Sequence, residues 1–484
     1  MEEVDIALIK KRSIKGIFAL TYRTFAIQVI GFSANFVLTI FLSPEVFGIY
    51  FVVTAVIAFL TYFSDVGLAA ALIQKKENIS EEDLRTTFTI QQGLVISISL
   101  IALISSSFVK DFYKLDSDGV FLFQALVISF FLSSLKTIPS IILERELKFE
   151  KLVIPQIAET LVFNVIAVFM AMQGFGVASF SIAVLARGVI GLVLIYIISP
   201  WKIGLGFSGS AARKLLSYGI PFQANSFIAL LKDDLFIVYL GKVLPLAQVG
   251  YIGFAQKWAY TPLRLIMDNM IKITFPSFSR LQENRNLLGK AVEKSIFSSA
   301  FVIFPLIAGL ITLSPYFIKI IPKYEKWEPA LLSLAFFSLN ACLSSISTPL
   351  TNALNAIGKI KITLYLMIFW TVATWLITPL MIFLLGFNGV ALSSFIISLS
   401  VFLVVILVKK YIIFSLYSLI YPFFSALIMT AILFILMNVF PTTIFTIVAG
   451  VVLGAIIYTV LMFSFARKII LADIKLIKEN VFKK

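Results

Sequence analysis

The sequence contains no histidine and a single cysteine, Cys342, among its 484 residues. Without histidine the chain lacks the commonest metal ligand and the commonest general base of enzymes. One cysteine can form neither an intramolecular disulfide nor a cysteine-rich metal site. These absences argue against the usual metal-dependent and histidine-dependent enzyme classes.

Charged residues are also scarce, at 13% of the chain, whereas apolar residues make up 60% and the mean hydropathy is +1.02. Soluble domains are about 25% charged and about 45–50% apolar. The apolar runs are continuous and do not alternate, which disfavours a β-barrel. At about 20 residues per crossing, the chain has room for about fourteen transmembrane helices. We therefore expect an all-α, polytopic membrane protein.

No stretch between the apolar runs is long enough for a soluble catalytic domain, and the phosphate-binding motif GxxxxGK[ST] does not occur. The first twenty residues lack a short apolar core followed by a cleavage site, so we expect a retained cytoplasmic segment. Breaks at Pro, Gly, Asn and charge clusters delimit the predicted spans. They lie at about 15–42, 45–73, 84–109, 119–143, 151–172, 176–199, 214–240, 245–278, 292–313, 329–356, 361–385, 388–409, 412–438 and 443–466.

Lys and Arg are distributed unevenly between the two predicted sides of the membrane. With the N-terminus inside, most of the 40 basic residues fall in inner segments. The outer segments hold Lys110, Lys114, Lys242, Lys319, Lys323 and Lys326. This asymmetry predicts a cell-membrane protein with both termini in the cytoplasm and an even number of spans. The net charge of +15 then reflects topology beside an anionic leaflet rather than nucleic-acid binding.

Two junctions between spans resemble one another. FLSPEVFGIY (41–50) joins the first two spans, and GKVLPLAQVGYIGF (241–254) joins the seventh and eighth. In each, a proline is followed a few residues later by glycine and then by an aromatic residue. Because six spans separate the junctions, the two halves would run parallel, as in some transporters.

Ionisable side chains within the predicted spans are the candidate functional residues, because such groups usually face a bundle interior or a wet cavity. The set is Arg23, Asp65, Lys136, Glu159, Arg187, Lys232, Asp233, Asp234, Lys257, Arg264, Asp268 and Lys272. Depth counting places Lys136, Arg187 and Lys257 deepest, and all three are basic. They predict a cationic path that stabilises an anion in transit. A charge ladder on a protruding helix end equally explains Arg264, Asp268 and Lys272.

Several stretches resemble the polysaccharide and lipopolysaccharide export branch of the multidrug/oligosaccharidyl-lipid/polysaccharide exporter superfamily. They touch most of the first twelve predicted spans in order. They are FLSPEVFGIYFVVTAVIAFLTYFSDVGLAAALIQ (41–74), IPSIILERELKFEKLVIPQIAE (138–159), QGFGVASFSIAVLARG (173–188), YGIPFQANSFIALLKDDLFIVYLGKVLPLAQVGYIGFAQKWAYTPLRLI (218–266), FPSFSRLQ (275–282) and TNALNAIGKIK (351–361).

The resemblance implies two six-helix bundles, at 1–199 and 200–411, with two added C-terminal helices at 412–466 and a basic cytoplasmic tail at 467–484. It implies a flippase, not an enzyme, that moves a polyprenyl-pyrophosphate-linked oligosaccharide to the outer leaflet by alternating access. The expected substrate-binding residues are Arg23, Lys136, Arg187, Lys257 and Arg264. The expected ion-coupling or gating residues are Asp65, Asp233, Asp234 and Asp268.

No cofactor or metal is expected, and Na⁺ or H⁺ is the candidate coupling ion. The expected partners are the lipid-linked glycan, membrane lipids and other polysaccharide-assembly proteins, around a monomeric transporter. An exporter of peptidoglycan precursors or small molecules in the same superfamily is the first alternative. A membrane glycan polymerase or transferase is the second, although it would need an extended loop or carboxylate-bearing domain.

Overall fold

In a computed structural model, the described residues are 6–75, 77, 79–224, 227–467, 469 and 471. Their regular structure is helical, and no β-strand occurs within these ranges. The chain divides into two compact units, Met1–Gly250 and Tyr251–Lys484. The boundaries predicted from the sequence, at 199/200 and 411/412, stay predictions.

The described part of the first unit is built from short and long helices in succession. They are α1 (Ile6–Phe41), α2 (Pro44–Asp65), α3 (Leu68–Gln74), α4 (Glu81–Ile104), α5 (Ser106–Tyr113), α6 (Ser117–Ser134), α7 (Thr137–Arg145), α8 (Phe149–Met172), α9 (Ala178–Ile198), α10 (Gly209–Ala224), α11 (Phe227–Lys232) and α12 (Asp234–Val243).

The long helix α13 (Leu246–Arg280) begins in the first unit and continues into the second. The helices that follow are α14 (Arg285–Ile320), α15 (Leu331–Ala356), α16 (Ile360–Leu385), α17 (Asn388–Ser398), α18 (Val401–Lys409), α19 (Ile420–Val439) and α20 (Ile444–Phe465). Short 3₁₀ helices precede α15 at Glu325–Ala330 and α19 at Tyr417–Leu419.

Twelve helices in the described residues are long and apolar enough to cross a bilayer. They confirm the prediction of an all-α polytopic membrane protein. The predicted spans at about 214–240 and 245–278 correspond to α10–α12 and to α13, and their crossing stays a prediction. Charged side chains interrupt both segments, namely Lys232, Asp233, Asp234, Lys257, Arg264, Asp268 and Lys272.

Several predicted spans divide into separate helices, namely those at about 45–73, 84–109, 119–143, 214–240 and 388–409. The span at about 45–73 divides into α2 and α3 at Val66 and Gly67, whose φ angles of 48° and 75° are left-handed. The carboxylate of Asp65 accepts a hydrogen bond from the backbone N–H of Ala69 at 3.2 Å and so satisfies an orphan donor of α3. The span at about 119–143 divides into α6 and α7 at Leu135 and Lys136.

The two similar junctions contact one another in the first unit. A Cβ atom on Gly48 of α2 would overlap the carbonyl oxygen of Leu246, and one on Gly250 would overlap the carbonyl oxygen of Pro44. Gly48 lies four residues after Pro44, and Gly250 lies four residues after Leu246. Small residues at this spacing let helix backbones approach closely, so the sequence repeat corresponds to a reciprocal packing contact.

Four helices meet at the position of the candidate site. Helix α8 packs against both α1 and α9, and α9 packs in turn against α6. In the second unit, α14 packs against α15 and α19, and α16 packs against α17. The core of that unit includes Val292, Ile296, Leu350, Val404 and Val408, which are all fully buried or nearly so.

Candidate functional site

A polar cavity of about 420 Å³ lies among α1, α8, α9 and the junction of α6 with α7. Three basic side chains and one carboxylate line it: Arg23, Lys136, Arg187 and Glu159. Gln156 and Thr160 of α8 also line the cavity. Charged groups inside an apolar bundle are costly unless they are paired or functional, so the pairing within this cavity decides its chemistry.

The carboxylate of Glu159 lies between two of the basic side chains. Lys136 Nζ donates a hydrogen bond to Glu159 Oε1 at 2.6 Å, and Arg187 Nε lies 3.7 Å from Glu159 Oε2. The side chains of Lys136 and Glu159 are only 15% and 11% exposed, whereas that of Arg187 is 51% exposed. The carboxylate of Glu159 therefore pairs closely with Lys136, whereas half of the Arg187 side chain remains exposed.

Lys136 reaches the cavity because the helix breaks at this residue. Its backbone N–H donates to the carbonyl of Ser133, and the hydroxyl of Ser140 donates to the carbonyl of Lys136 at 2.8 Å. The hydroxyl of Tyr196, on α9, donates to the carbonyl of Leu135 at 3.1 Å. These bonds satisfy backbone groups that the break would otherwise leave unpaired.

Glycine makes room for the carboxylate. Gly191 lies on α9 one turn beyond Arg187, and a Cβ atom there would overlap the Glu159 carboxylate. Pro155, one turn before Glu159 on α8, also lines the cavity and has no N–H to donate within the helix. The local sequence of α8 and α9 is thus adapted to hold a charged side chain at mid-helix.

Arg23 of α1 completes the cavity. Its Nη1 atom donates to Gln156 Oε1 at 2.8 Å. Its Nε atom is buried and has no hydrogen-bond partner among the residues that the structure describes. A guanidinium N–H without a partner in a low-dielectric site is a strong donor for an anion.

The arrangement as a whole favours anions. Three cations face one carboxylate, so the cavity carries an excess of two positive charges. Guanidinium and ammonium groups are the usual partners of phosphate oxygens. Within the described residues, no group of His, Cys, Asp and Glu side chains could hold a metal ion.

Comparison with protein-family models adds an independent observation. Residues 37–332 match the model described as "Polysaccharide biosynthesis protein". The chain belongs to this family. The matched range contains Lys136, Glu159, Arg187 and Lys257, and Arg23 precedes it.

Two named relatives align with most of this chain. The lipopolysaccharide biosynthesis protein WzxC of Escherichia coli (strain K12) is 24% identical over 75% of this chain and 74% of its own. The succinoglycan biosynthesis transport protein ExoT of Rhizobium meliloti (strain 1021) is 20% identical over 89% and 88%. Both names place these relatives in polysaccharide production, and that of ExoT describes transport.

The fold is also that of a solved transporter. The lipid II flippase MurJ, in its inward closed conformation, superimposes with a TM-score of 0.75 at 15% identity, over 93% of this chain and 99% of MurJ. At this identity the match concerns the fold. It confirms the predicted two-repeat helical bundle. The family match and the named relatives, together with this fold, confirm the predicted export branch of the superfamily.

The remaining predicted site residues lie elsewhere. Lys257, Arg264 and Asp268 are exposed side chains on the part of α13 that belongs to the second unit. In the first unit, Asp65 caps α3, Asp233 lies 3.6 Å from Lys232, and Asp234 begins α12. Their roles in binding or ion coupling stay predictions.

One member of the cavity was not predicted as a site residue. Glu159 appears in the set of in-span charges, but its sequence neighbourhood assigns it no partner. A usable signal existed: counted from Phe149, Glu159 lies about 15 Å into α8, at a depth where a lone carboxylate needs a cation.

Proposed function

We propose that this protein translocates a polyprenyl-diphosphate-linked oligosaccharide from the inner to the outer leaflet for cell-surface polysaccharide biosynthesis. The observation that carries the proposal is the cationic cavity of Arg23, Lys136 and Arg187 inside an apolar bundle. The diphosphate would contact these three side chains. Family membership and the name of the solved neighbour, lipid II flippase MurJ, support a lipid-linked cargo.

Alternating access is the proposed mechanism, with both termini in the cytoplasm and a Na⁺ or H⁺ gradient as driving force. Lys257 and Arg264 of α13 are proposed as additional contacts for the anion, and Asp65, Asp233, Asp234 and Asp268 as gating or coupling groups. The proposed transporter is a monomer that needs no cofactor and works beside other polysaccharide-assembly proteins.

The charge of the cavity separates this proposal from export of cationic drugs. An excess of positive charge raises the local concentration of anions and repels cations. A peptidoglycan precursor carries the same diphosphate, so the choice between glycan cargoes depends on the sugar. Assays with both lipid-linked glycans would separate these two cargoes.

The test is a leaflet-translocation assay on the full chain in proteoliposomes containing a fluorescent polyprenyl-diphosphate oligosaccharide. A membrane-impermeant quencher reports the fraction in the outer leaflet. We expect the Lys136→Gln, Arg187→Gln double variant to lower the rate at least about tenfold, because a hydrogen bond to a charged group contributes about 1.5–3 kcal/mol.

The matched control is Lys110→Gln, which removes an exposed lysine near the end of α5. It should translocate at the wild-type rate. Size-exclusion profiles must show that each variant is folded. Wild-type translocation by a folded double variant would overturn the proposal, as would a wild-type chain that leaves the probe in its original leaflet.

A further inference from the structure

The carboxylate of Glu159 occupies the position that an anionic ligand would be expected to take between Lys136 and Arg187. We propose that Glu159 is an intramolecular counter-anion that competes with the substrate's diphosphate for these two cations. The inference rests on the proposed function, because it concerns how the same cavity binds and releases its anion. It assigns the carboxylate a role in turnover beyond neutralising buried charge.

The geometry favours exchange of partners. Glu159 holds Lys136 tightly at 2.6 Å, but it lies 3.7 Å from Arg187 Nε, beyond hydrogen-bond length. Arg187 is half exposed, and the buried Nε of Arg23 has no partner among the described residues. An incoming diphosphate therefore meets the half-exposed guanidinium of Arg187 first, and the unpartnered Nε–H of Arg23 is a further donor in the cavity. Lys136 is the cation that must leave the carboxylate for the diphosphate.

The free-energy cost of burying unpaired cations explains why a carboxylate lies in this cavity. Buried cations without partners would cost several kcal/mol each in a low-dielectric bundle. In the empty cavity, Glu159 removes part of this cost by pairing with Lys136. In the occupied cavity the diphosphate takes over the pairing, and like charges on diphosphate and carboxylate repel. When the substrate leaves, Glu159 pairs with Lys136 again and so assists release.

The charge count agrees with a diphosphate diester. Such a diester carries two negative charges, and the cavity carries an excess of two positive charges when Glu159 is ionised. Replacing Glu159 by glutamine raises the excess to three. Tighter binding of the substrate in every state of the cycle does not accelerate turnover. A cavity that binds the diphosphate more tightly should therefore release it more slowly and lower the transport rate.

The decisive variant is Glu159→Gln in the full chain. The binding probe is a short-chain polyprenyl-diphospho-N-acetylglucosamine, titrated calorimetrically against the protein in detergent. We expect the Kd to fall about tenfold, because the competing negative charge is gone. In the proteoliposome assay, the same variant should translocate several-fold more slowly than the wild type. A purely structural role predicts weaker binding together with slower transport.

A second variant keeps all the charges. Gly191→Ala places a methyl group where the Glu159 carboxylate lies, and we expect it to tighten binding in the same direction. Glu159→Asp, which restores a shorter carboxylate, should return both readouts toward wild-type values. The matched control is Glu150→Gln on the same helix, which removes an exposed carboxylate 3.5 Å from Lys15 and should change neither readout.

The outcomes separate the inference from the proposed function. If the wild type binds the probe and Lys136→Gln weakens binding, the proposed function stands. If folded Glu159→Gln and Gly191→Ala then bind no more tightly than the wild type, the counter-anion inference alone is overturned. If the wild-type chain does not bind the diphosphate probe at all, the proposed function fails and the inference fails with it.

Discussion

At the scale of single residues, the cavity depends on a buried pair that spans two helices. Lys136 and Arg187 can be predicted as site residues because each lies deep in an apolar span. Their partner could not be assigned, since 23 residues separate Lys136 from Glu159 and no helical periodicity links them. Glu159 becomes the partner of Lys136 only because α8 packs beside the break between α6 and α7. Depth counting also selected Lys257, but Lys257 does not line this cavity. Depth alone therefore does not reveal which residues share a cavity.

The pair makes a prediction about stability. Lys136→Met should lower the free energy of unfolding by about 3–5 kcal/mol, because the buried carboxylate loses its hydrogen-bonded cation and keeps only Arg187, at 3.7 Å. The double variant Lys136→Met, Glu159→Leu should recover most of this loss, because both members of the buried pair are then replaced by apolar side chains. Both are measured by thermal or denaturant unfolding in detergent.

An exposed pair provides the comparison. Lys15 and Glu150 lie 3.5 Å apart with side chains 66% and 35% exposed. Lys15→Met should cost no more than about 1 kcal/mol, because exposed pairs contribute little. Equal losses for Lys136→Met and Lys15→Met would contradict the view that the cavity pair is desolvated.

At the scale of helices, the sequence predicts crossings better than it predicts breaks. Continuous apolar runs predicted α8 and α9 closely, whereas the span predicted at about 84–109 passes through the break between α4 and α5. The division of one run into α6 and α7 was missed, because residues 130–140 contain no glycine and their single proline, Pro139, lies within α7. There the contacts from Tyr196 and Ser140 stabilise the break. By contrast, Gly67 marks the break after α2, where a left-handed backbone favours glycine.

The contact between α2 and the first turn of α13 gives a helix-scale prediction. Gly48→Val should lower the melting temperature of the protein, because the side chain would overlap the backbone at Leu246 and Gly250. Overpacking of this kind costs about 1–3 kcal/mol. The matched control is Gly93→Val in α4, where a Cβ atom meets no described atom within 4 Å. A lower melting temperature for Gly93→Val than for Gly48→Val would contradict the packing argument.

At the scale of the whole molecule, composition and charge predict the fold class, the membrane environment and a topology. Composition alone does not give the number of crossings, because α10–α12 and α13 carry charged residues that interrupt their apolar runs. Twelve helices qualify by length and apolarity in the described residues. The orientation predicted from Lys and Arg can be tested independently of the site.

Alkaline phosphatase, which is active only outside the cytoplasm, tests that orientation when inserted into the full chain. Insertion after Lys114, in the turn between α5 and α6, should give an active enzyme. Insertion after Glu146, between α7 and α8, should give an inactive one. Green fluorescent protein fused at the C-terminus should fluoresce, because that end is predicted to be cytoplasmic. Reversed activities at the two insertions would overturn the predicted topology.

The pairing of Glu159 with Arg187 also bears on biogenesis. Helices α8 and α9 are consecutive, and each carries a charge near its centre. Inserted alone, each charged helix would bear a penalty of about 2.5–3.5 kcal/mol at the bilayer centre. Leaving the insertion machinery together as a hairpin, the two helices bring a carboxylate and a guanidinium into the lipid as a neutral pair. The residues that form the cavity would thereby also couple the insertion of these two helices during synthesis.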